Sequence, residues 1–218
     1  MAIADDTRLN RGLTPRGRFI TVEGIDGAGK SSHLEFLCEH VRAKGHGALL
    51  TREPGGTPTG ERLRDVVLHQ PMSPVAEALV MFGARSVHVT TMIEPALAAG
   101  TWVVCDRFSD STYAYQCGGR GLERQAVSML EALVHPNLQP DATFLFDLDP
   151  SIAYERQRAQ SRTPDRFESE QAEFFVRVRN GYLDRARQHA YRFHVVDAAG
   201  SLEDVRTRLA AAFDKAFP

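Results

Sequence analysis

The sequence predicts an α/β protein, a three-layer fold built on a five-stranded parallel sheet. Three observations predict it. Short apolar, β-branched runs alternate along the chain with stretches whose apolar residues recur at helical spacing. The first run, Phe19-Ile20-Thr21-Val22-Glu23, leads directly into a G-x-x-x-x-G-K-S loop and then into Leu34, Leu37, Cys38 and Val41 on one helical face. The chain has 218 residues, 43% hydrophobic and 25% charged, enough for a full core in one domain.

The loop comprises Gly24, Ile25, Asp26, Gly27, Ala28, Gly29, Lys30, Ser31 and Ser32. Glycines let successive backbone N–H groups turn inward around a phosphate chain. The helix that follows adds partial positive charge at its N-terminus. Lys30 can reach the β- and γ-phosphates, and Ser31 can hold Mg²⁺. A glycine-rich turn ending by chance in Lys-Ser would not need a buried strand before it and an amphipathic helix after it. The loop is therefore expected to bind ATP.

The second run, Ala48-Leu49-Leu50-Thr51, ends in Arg52-Glu53-Pro54-Gly55-Gly56-Thr57, rich in breakers. Ligands bind at the carboxyl ends of parallel strands, so Arg52 and Glu53 stand either at a site or in a surface ion pair. Residues 59–69 read as a helix, with Arg64 one step from Gly60. Pro74 opens a longer helix in which Ala78, Leu79, Met81, Phe82 and Arg85 cluster, and Pro95 kinks or restarts it. Arg85 is the odd member, because an arginine among apolar residues needs a partner.

The third strand, residues 101–105, ends in Asp106-Arg107. An acid at such a position organises Mg²⁺ or its water. The fourth strand also ends in acids, Asp147 and Asp149, but Arg107 gives Asp106 a second phosphate-binding neighbour. Residues 109–116 read as one helical segment whose hydroxyls, amide and two tyrosines suit hydrogen-bonded readout of a base and sugar. A helix over 123–134 precedes the fourth strand. Pro150 starts a helix carrying Arg156 and Arg158, which runs into a basic stretch containing Arg162. That stretch is either a lid closing over phosphates or a solvated basic loop. Phe174, Phe175, Val178 and Tyr182 mark a long amphipathic helix, residues 193–197 the fifth strand, and residues 202–213 a closing helix.

A net charge of −2 argues against a nucleic-acid-coating surface. Cys38, Cys105 and Cys117 form no CxxC pair and fit a reduced, cytoplasmic setting. The eight histidines lack metal-ligand spacing. Residues 1–17 are expected to be a flexible extension without a signal-peptide core, and residues 18–218 one domain. No stretch is long and apolar enough to span a membrane.

Together these motifs resemble the thymidylate kinase (dTMP kinase) family, bacterial type, among the P-loop nucleoside monophosphate kinases. The residues that carry the match are the 24–32 loop, Thr51-Arg52-Glu53-Pro54-Gly55-Gly56-Thr57, the 82–85 segment, Asp106-Arg107-Phe108, Tyr115-Gln116 and Asp165-Arg166-Phe167-Glu168. The resemblance covers the chain from Arg18 to its end. It implies phosphorylation of dTMP to dTDP by ATP and Mg²⁺, with Ser31 and Asp106 toward the metal and Lys30, Asp106, Arg107, Arg158 and Arg162 catalytic. Asp26 would face the sugar 3′-hydroxyl. Arg52, Arg64 and Arg107 would hold the dTMP phosphate, with Glu53 beside them. Phe82 would stack on thymine, Arg85 would bond its edge, Thr112 and Gln116 would read the base, and Tyr115 would pack on the deoxyribose. A lid over about 156–168, an adenine site near residues 197–201 and a homodimer through residues 78–82 or 174–182 also follow from the resemblance.

The chain departs from common members of that family at three places. Gly27 stands where some carry an arginine. Met81 occupies the usual offset of the stacking residue, four before Arg85, and Phe82 lies three before it; both offsets share one helical side. Cys117 stands where glycine is common. The competing functions are a P-loop kinase for another deoxynucleotide or deoxynucleoside, and an NTP-binding switch.

Overall fold

The computed structural model describes residues 15–159, 165–168 and 170–218. Five strands form one parallel sheet: β1 (Phe19–Glu23), β2 (Ala48–Arg52), β3 (Trp102–Asp106), β4 (Ala142–Asp147) and β5 (Phe193–Asp197). Their spatial order is β2-β3-β1-β4-β5. β1 is central and buried along its whole length, whereas edge strands β2 and β5 are partly exposed. Side chains alternate across the sheet: Ile20, Val22 and Val104 enter one apolar cluster, Phe19, Val103 and Cys105 the other. The parallel register sets Val22 beside Asp106 and Arg52 beside Asp106 on the other side. The carboxyl ends of β1, β2 and β3 therefore converge.

Helices cover both faces. α1 (Leu34–Ala43) buries Leu37, Cys38 and Val41, the face seen in the sequence. Two later helices start at a hydroxyl residue followed by proline. Thr57 caps α2 (Pro58–His69) by accepting the Gly60 N–H, and Ser73 caps α3 (Pro74–His88) by accepting that of Ala76. A π-helical stretch, Val89–Ile93, separates α3 from α4 (Glu94–Ala98), which carries Pro95 in its first turn. The expected single helix over 109–116 is instead α5 (Ser109–Thr112) followed by a π-helical stretch, Tyr113–Gly119. Then come α6 (Arg124–Val134), α7 (Pro150–Arg158), α8 (Ala172–Gln188) and α9 (Leu202–Ala216).

The front of the expected flexible extension, residues 1–14, lies outside the described residues. Its last residues belong to the folded body: the Gly17 N–H donates to Leu97 O at 2.8 Å, and Arg16 pairs with Asp141 at 3.2 Å. Among the described residues no helix is long and apolar enough to cross a membrane.

Candidate active site

The 24–32 loop leaves β1 through Gly24, at φ 143°, where a Cβ would lie 2.5 Å from the Phe146 carbonyl oxygen. Only glycine fits that approach between neighbouring strand ends. Lys30 is buried and donates to the carbonyls of Gly24 and Ile25, both at 3.0 Å. Burial lowers its ammonium to about 8, and the nearby Arg107 charge adds to this. Asp26 through Ser32 line a cleft of about 560 Å³. Gly24 and Ile25 do not line it, because the carbonyl of Gly24 also serves Arg107 and the Ile25 side chain is in the core.

Arg107 has φ 71°, the only positive value outside glycine among the described residues. Such a backbone is sterically unfavourable and is retained where surrounding contacts hold it. Here the Arg107 N–H donates to Val22 O at 2.9 Å, and the side chain turns back across the loop. It donates to Asp26 Oδ1 at 2.5 Å, Tyr182 Oη at 2.8 Å and Gly24 O at 2.9 Å. Tyr115 donates its hydroxyl to Asp26 Oδ2 at 2.6 Å. Burial favours the neutral acid at Asp26, but Arg107, Lys30 and these hydrogen bonds hold its carboxyl below the ordinary value.

Arg52, Arg64 and Arg107 line the same cleft. Burial lowers Arg64, and the like charges of Arg52 and Arg107 lower it further. Three mutually repelling guanidinium groups beside Lys30 create a strong attraction for a multiply charged anion. Asp106 also faces the cleft, and its buried Oδ1 has no hydrogen-bond partner. The competing acids are committed elsewhere: Arg179 grips Asp147 through both oxygens, at 2.6 and 2.9 Å, and Asp149 caps α7.

A second cavity, about 80 Å³, adjoins the cleft and shares Asp26, Glu53, Arg64, Arg107 and Asp165 with it. Pro54, Val67, Leu68, Met81, Phe108 and Phe167 give it apolar walls. Arg85, Thr112, Tyr115 and Gln116 supply its polar groups. Arg85 donates to Glu53 Oε2 at 2.6 Å and to Thr112 Oγ1 at 3.3 Å, leaving Nη1 without a partner. Gln116 donates from Nε2 to Glu77 at 2.7 Å, leaving Oε1 without one. Unpaired buried polar atoms are costly, so an unpartnered donor on Arg85 and an unpartnered acceptor on Gln116, two residues that line one apolar cavity, mark a ligand position.

Several expectations are corrected. Phe82 does not line the cavity: it is 1% exposed, with Arg85 4.4 Å over its ring and His135 stacked at 6.1 Å. Met81, one residue earlier, takes the wall position because the helical turn points it inward. Glu53 directs its carboxylate to Arg85 and His88, so it orients Arg85 and is not left open to a phosphate. Arg158 is exposed, its guanidinium 5.8 Å from the Tyr154 ring, and does not line the cleft. Arg156, two residues earlier, does, and donates to Ala198 O at 3.2 Å. Ala198, Gly200 and Ser201 line the cleft, where the turn after β5 was expected. Arg162 lies outside the described residues.

The sequence analysis gives no role to His88 or Glu77, and it names Phe108 and Arg156 without placing either at the site. For Glu77 a signal existed: Glu77, Met81 and Arg85 follow at steps of four on α3, a stripe that mixes charge with an apolar face.

A family model described as thymidylate kinase matches residues 22–209. The thymidylate kinase of Methylobacillus flagellatus is 54% identical over 191 residues, covering 88% of this chain and 94% of that protein. That of Burkholderia vietnamiensis is 53% identical over 198 residues, covering 89% and 96%. Among solved structures, the thymidylate kinase from Ehrlichia chaffeensis superposes with a TM-score of 0.75 at 32% identity, covering 92% of this chain and 99% of its own.

Proposed function

The chain belongs to the thymidylate kinase family, and we propose that it transfers the γ-phosphoryl group of ATP to dTMP, giving dTDP, within the cleft and cavity described above. The observation that carries the choice of acceptor is a pair of unpartnered buried atoms, Arg85 Nη1 and Gln116 Oε1, on two residues that line the cavity. A donor beside an acceptor complements the carbonyl and ring N–H that adjoin on a thymine edge. Met81, Phe108, Tyr115 and Asp26 line the same cavity; in this reading Met81 and Phe108 flank the base, and Tyr115 and Asp26 face the sugar.

The nucleophile is a phosphate oxygen of dTMP. A phosphate monoester has a second pKa of about 6 and is largely dianionic at neutral pH, so no general base is needed. The barrier is the approach of two anions. Arg52, Arg64 and Arg107 hold the acceptor phosphate, and Lys30 with the loop N–H groups holds the donor's. For that, Arg107 gives up part of its present hydrogen bonding to Asp26, which is then free to accept the sugar 3′-hydroxyl. In this reading Arg156, which donates to Ala198 O beside the turn after β5, serves the adenosine end of the donor, and the lid arginine is Arg162, as the family resemblance implies.

Mg²⁺ fits the residues present. Ser31 and Asp106 line the cleft together, and the unpartnered Asp106 Oδ1 is an available oxygen ligand. Bound there, it would neutralise charge on the transferring phosphates.

We also assign a homodimer, with residues 18–218 as one kinase domain. Val75 and Leu79 on α3 and Met129 and Leu133 on α6 are exposed apolar residues on two helices that pack together. Within 174–182, Phe174, Phe175, Val178 and Tyr182 are buried within the chain and Val176 is exposed, so α3 and α6 offer the larger apolar face.

The test is ADP release from ATP and Mg²⁺ with each deoxynucleoside monophosphate in turn. Strong dependence on dTMP, weaker turnover with dUMP and none with thymidine is the expected result. Comparable rates with dCMP or dAMP would remove the base-reading roles of Arg85 and Gln116. ATP consumption without an acceptor would favour a switch.

A further inference from the structure

Gln116 reads a base correctly only if its amide faces the right way round, and nothing in the amide itself decides this. Its surroundings do. Glu77, fully buried on α3, accepts the Gln116 Nε2–H at 2.7 Å and the Arg120 Nε–H at 3.0 Å on the same oxygen, Oε1. Its other oxygen lies 2.6 Å from Arg166 Nη2. A carboxylate carries only acceptor oxygens, so it meets the NH₂ end of the amide. Turning the amide over would set Gln116 Oε1 against a Glu77 oxygen, two buried acceptors in contact without a hydrogen. Arg120 hydrogen-bonds Oε1 and Arg166 lies in ion-pair range of Oε2, and together they oppose rotation of the carboxylate away from that contact.

We propose that Glu77 sets the base preference of this enzyme by locking the Gln116 amide with its acceptor toward the cavity, so that the site takes a base edge carrying a ring N–H and rejects one carrying a lone pair there. The inference rests on the placement of the dTMP base in the cavity lined by Arg85 and Gln116. Thymine and uracil carry the N–H; cytosine carries the lone pair. Glu77 does not line the cavity and is a positioning residue, acting through Gln116.

Glu77→Gln offers Gln116 either end of a new amide and so removes the lock. The kcat/KM ratio of dTMP to dCMP is expected to fall about tenfold or more, through a higher KM for dTMP and a lower KM for dCMP, with kcat for dTMP within about threefold. A merely structural role would weaken both substrates alike and leave the ratio where it was; a ratio unchanged within about twofold overturns the proposal. Gln116→Leu distinguishes the two layers of the argument. If that variant also keeps the ratio, the placement of the base fails; if it loses the ratio while Glu77→Gln keeps it, only the role of Glu77 fails.

Should Glu77→Gln not fold, the wild-type chain decides. The side-chain NH₂ signal of Gln116, assigned in nitrogen-15 spectra by its loss in Gln116→Leu, should be protected from hydrogen exchange without nucleotide and unchanged by dTMP. Rapid exchange, or protection gained only with dTMP, overturns the proposal.

Discussion

Arg85 donates its Nε–H to Glu53 Oε2 across 2.6 Å, joining α3 to the loop after β2 in a pair of side chains that are each almost wholly buried. His88 holds the other Glu53 oxygen at 2.9 Å, and Thr51 lies 2.7 Å from the far ring nitrogen of that histidine. Burial pushes the Glu53 carboxyl up, but Arg85 and His88 outweigh it and hold it below the ordinary value. The chain fixes Arg85, a cavity-lining residue with an unpartnered Nη1, before any ligand arrives.

Removing one member of this pair leaves a charge buried and uncompensated. Glu53→Gln is expected to destabilise the fold by about 3 kcal/mol in urea unfolding. The same variant should raise KM for dTMP about tenfold, because Arg85 loses its fixed orientation. Glu53→Gln combined with Arg85→Met should recover part of the stability without recovering dTMP binding. Equal stability of Glu53→Gln and wild type would contradict the pairing.

Lys30 gives activity a dependence on pH. Its ammonium, lowered by burial to about 8, loses its proton in the free enzyme as pH rises through that value. The charged form is the one that binds phosphate, so kcat/KM for ATP should fall on the alkaline side with a limb near pH 8. Saturating ATP should move the limb upward, since bound phosphates favour the ammonium. In Lys30→Arg, whatever its absolute rate, the limb should vanish, because a guanidinium stays charged throughout.

Glu23 gives stability a dependence on pH. Burial, with the negative charge of Asp110 added, raises its carboxyl to about 7, despite hydrogen bonds from Ser111 and the Phe108 N–H. A raised carboxyl favours the protonated native state, so its contribution is fully present below the ordinary value of 4.5 and is lost as pH rises to 7. Glu23→Gln carries no such titration. Its stability relative to wild type should therefore increase by up to about 3 kcal/mol between pH 4.5 and pH 8. Thermal unfolding of both proteins across that range measures the difference; a constant gap would contradict the burial argument.

Met81 and Phe82 should separate binding from stability. Phe82→Ala empties a fully buried position and is expected to cost about 3–5 kcal/mol. Met81→Ala removes a cavity wall instead, so it should raise KM for dTMP severalfold with a smaller loss of stability. Stability and KM measured on both variants test the assignment, and the reverse pattern would return the stacking role to Phe82.

The sequence by itself determined the layered fold, because its evidence is local. Strand runs, helical stripes and the glycine loop are each readable within ten residues, and β5 was legible at its observed bounds, Phe193–Asp197. The convergence of Arg52, Asp106 and Arg107 also followed, since ligand sites of parallel sheets lie at strand carboxyl ends; Arg64, on α2, entered only through the family resemblance. What only the tertiary structure decided was which of two neighbouring residues faces the site. Met81 stands in the wall and Phe82 in the core, and Arg156 stands in the cleft while Arg158 is exposed. Such choices depend on a helix's rotation about its axis, which packing against other elements sets and no local pattern encodes. The partners of Glu53 and Glu77 were hidden for the same reason: the residues that orient Arg85 and Gln116 lie 32 and 39 positions away along the chain and meet them only when the sheet and its helices close.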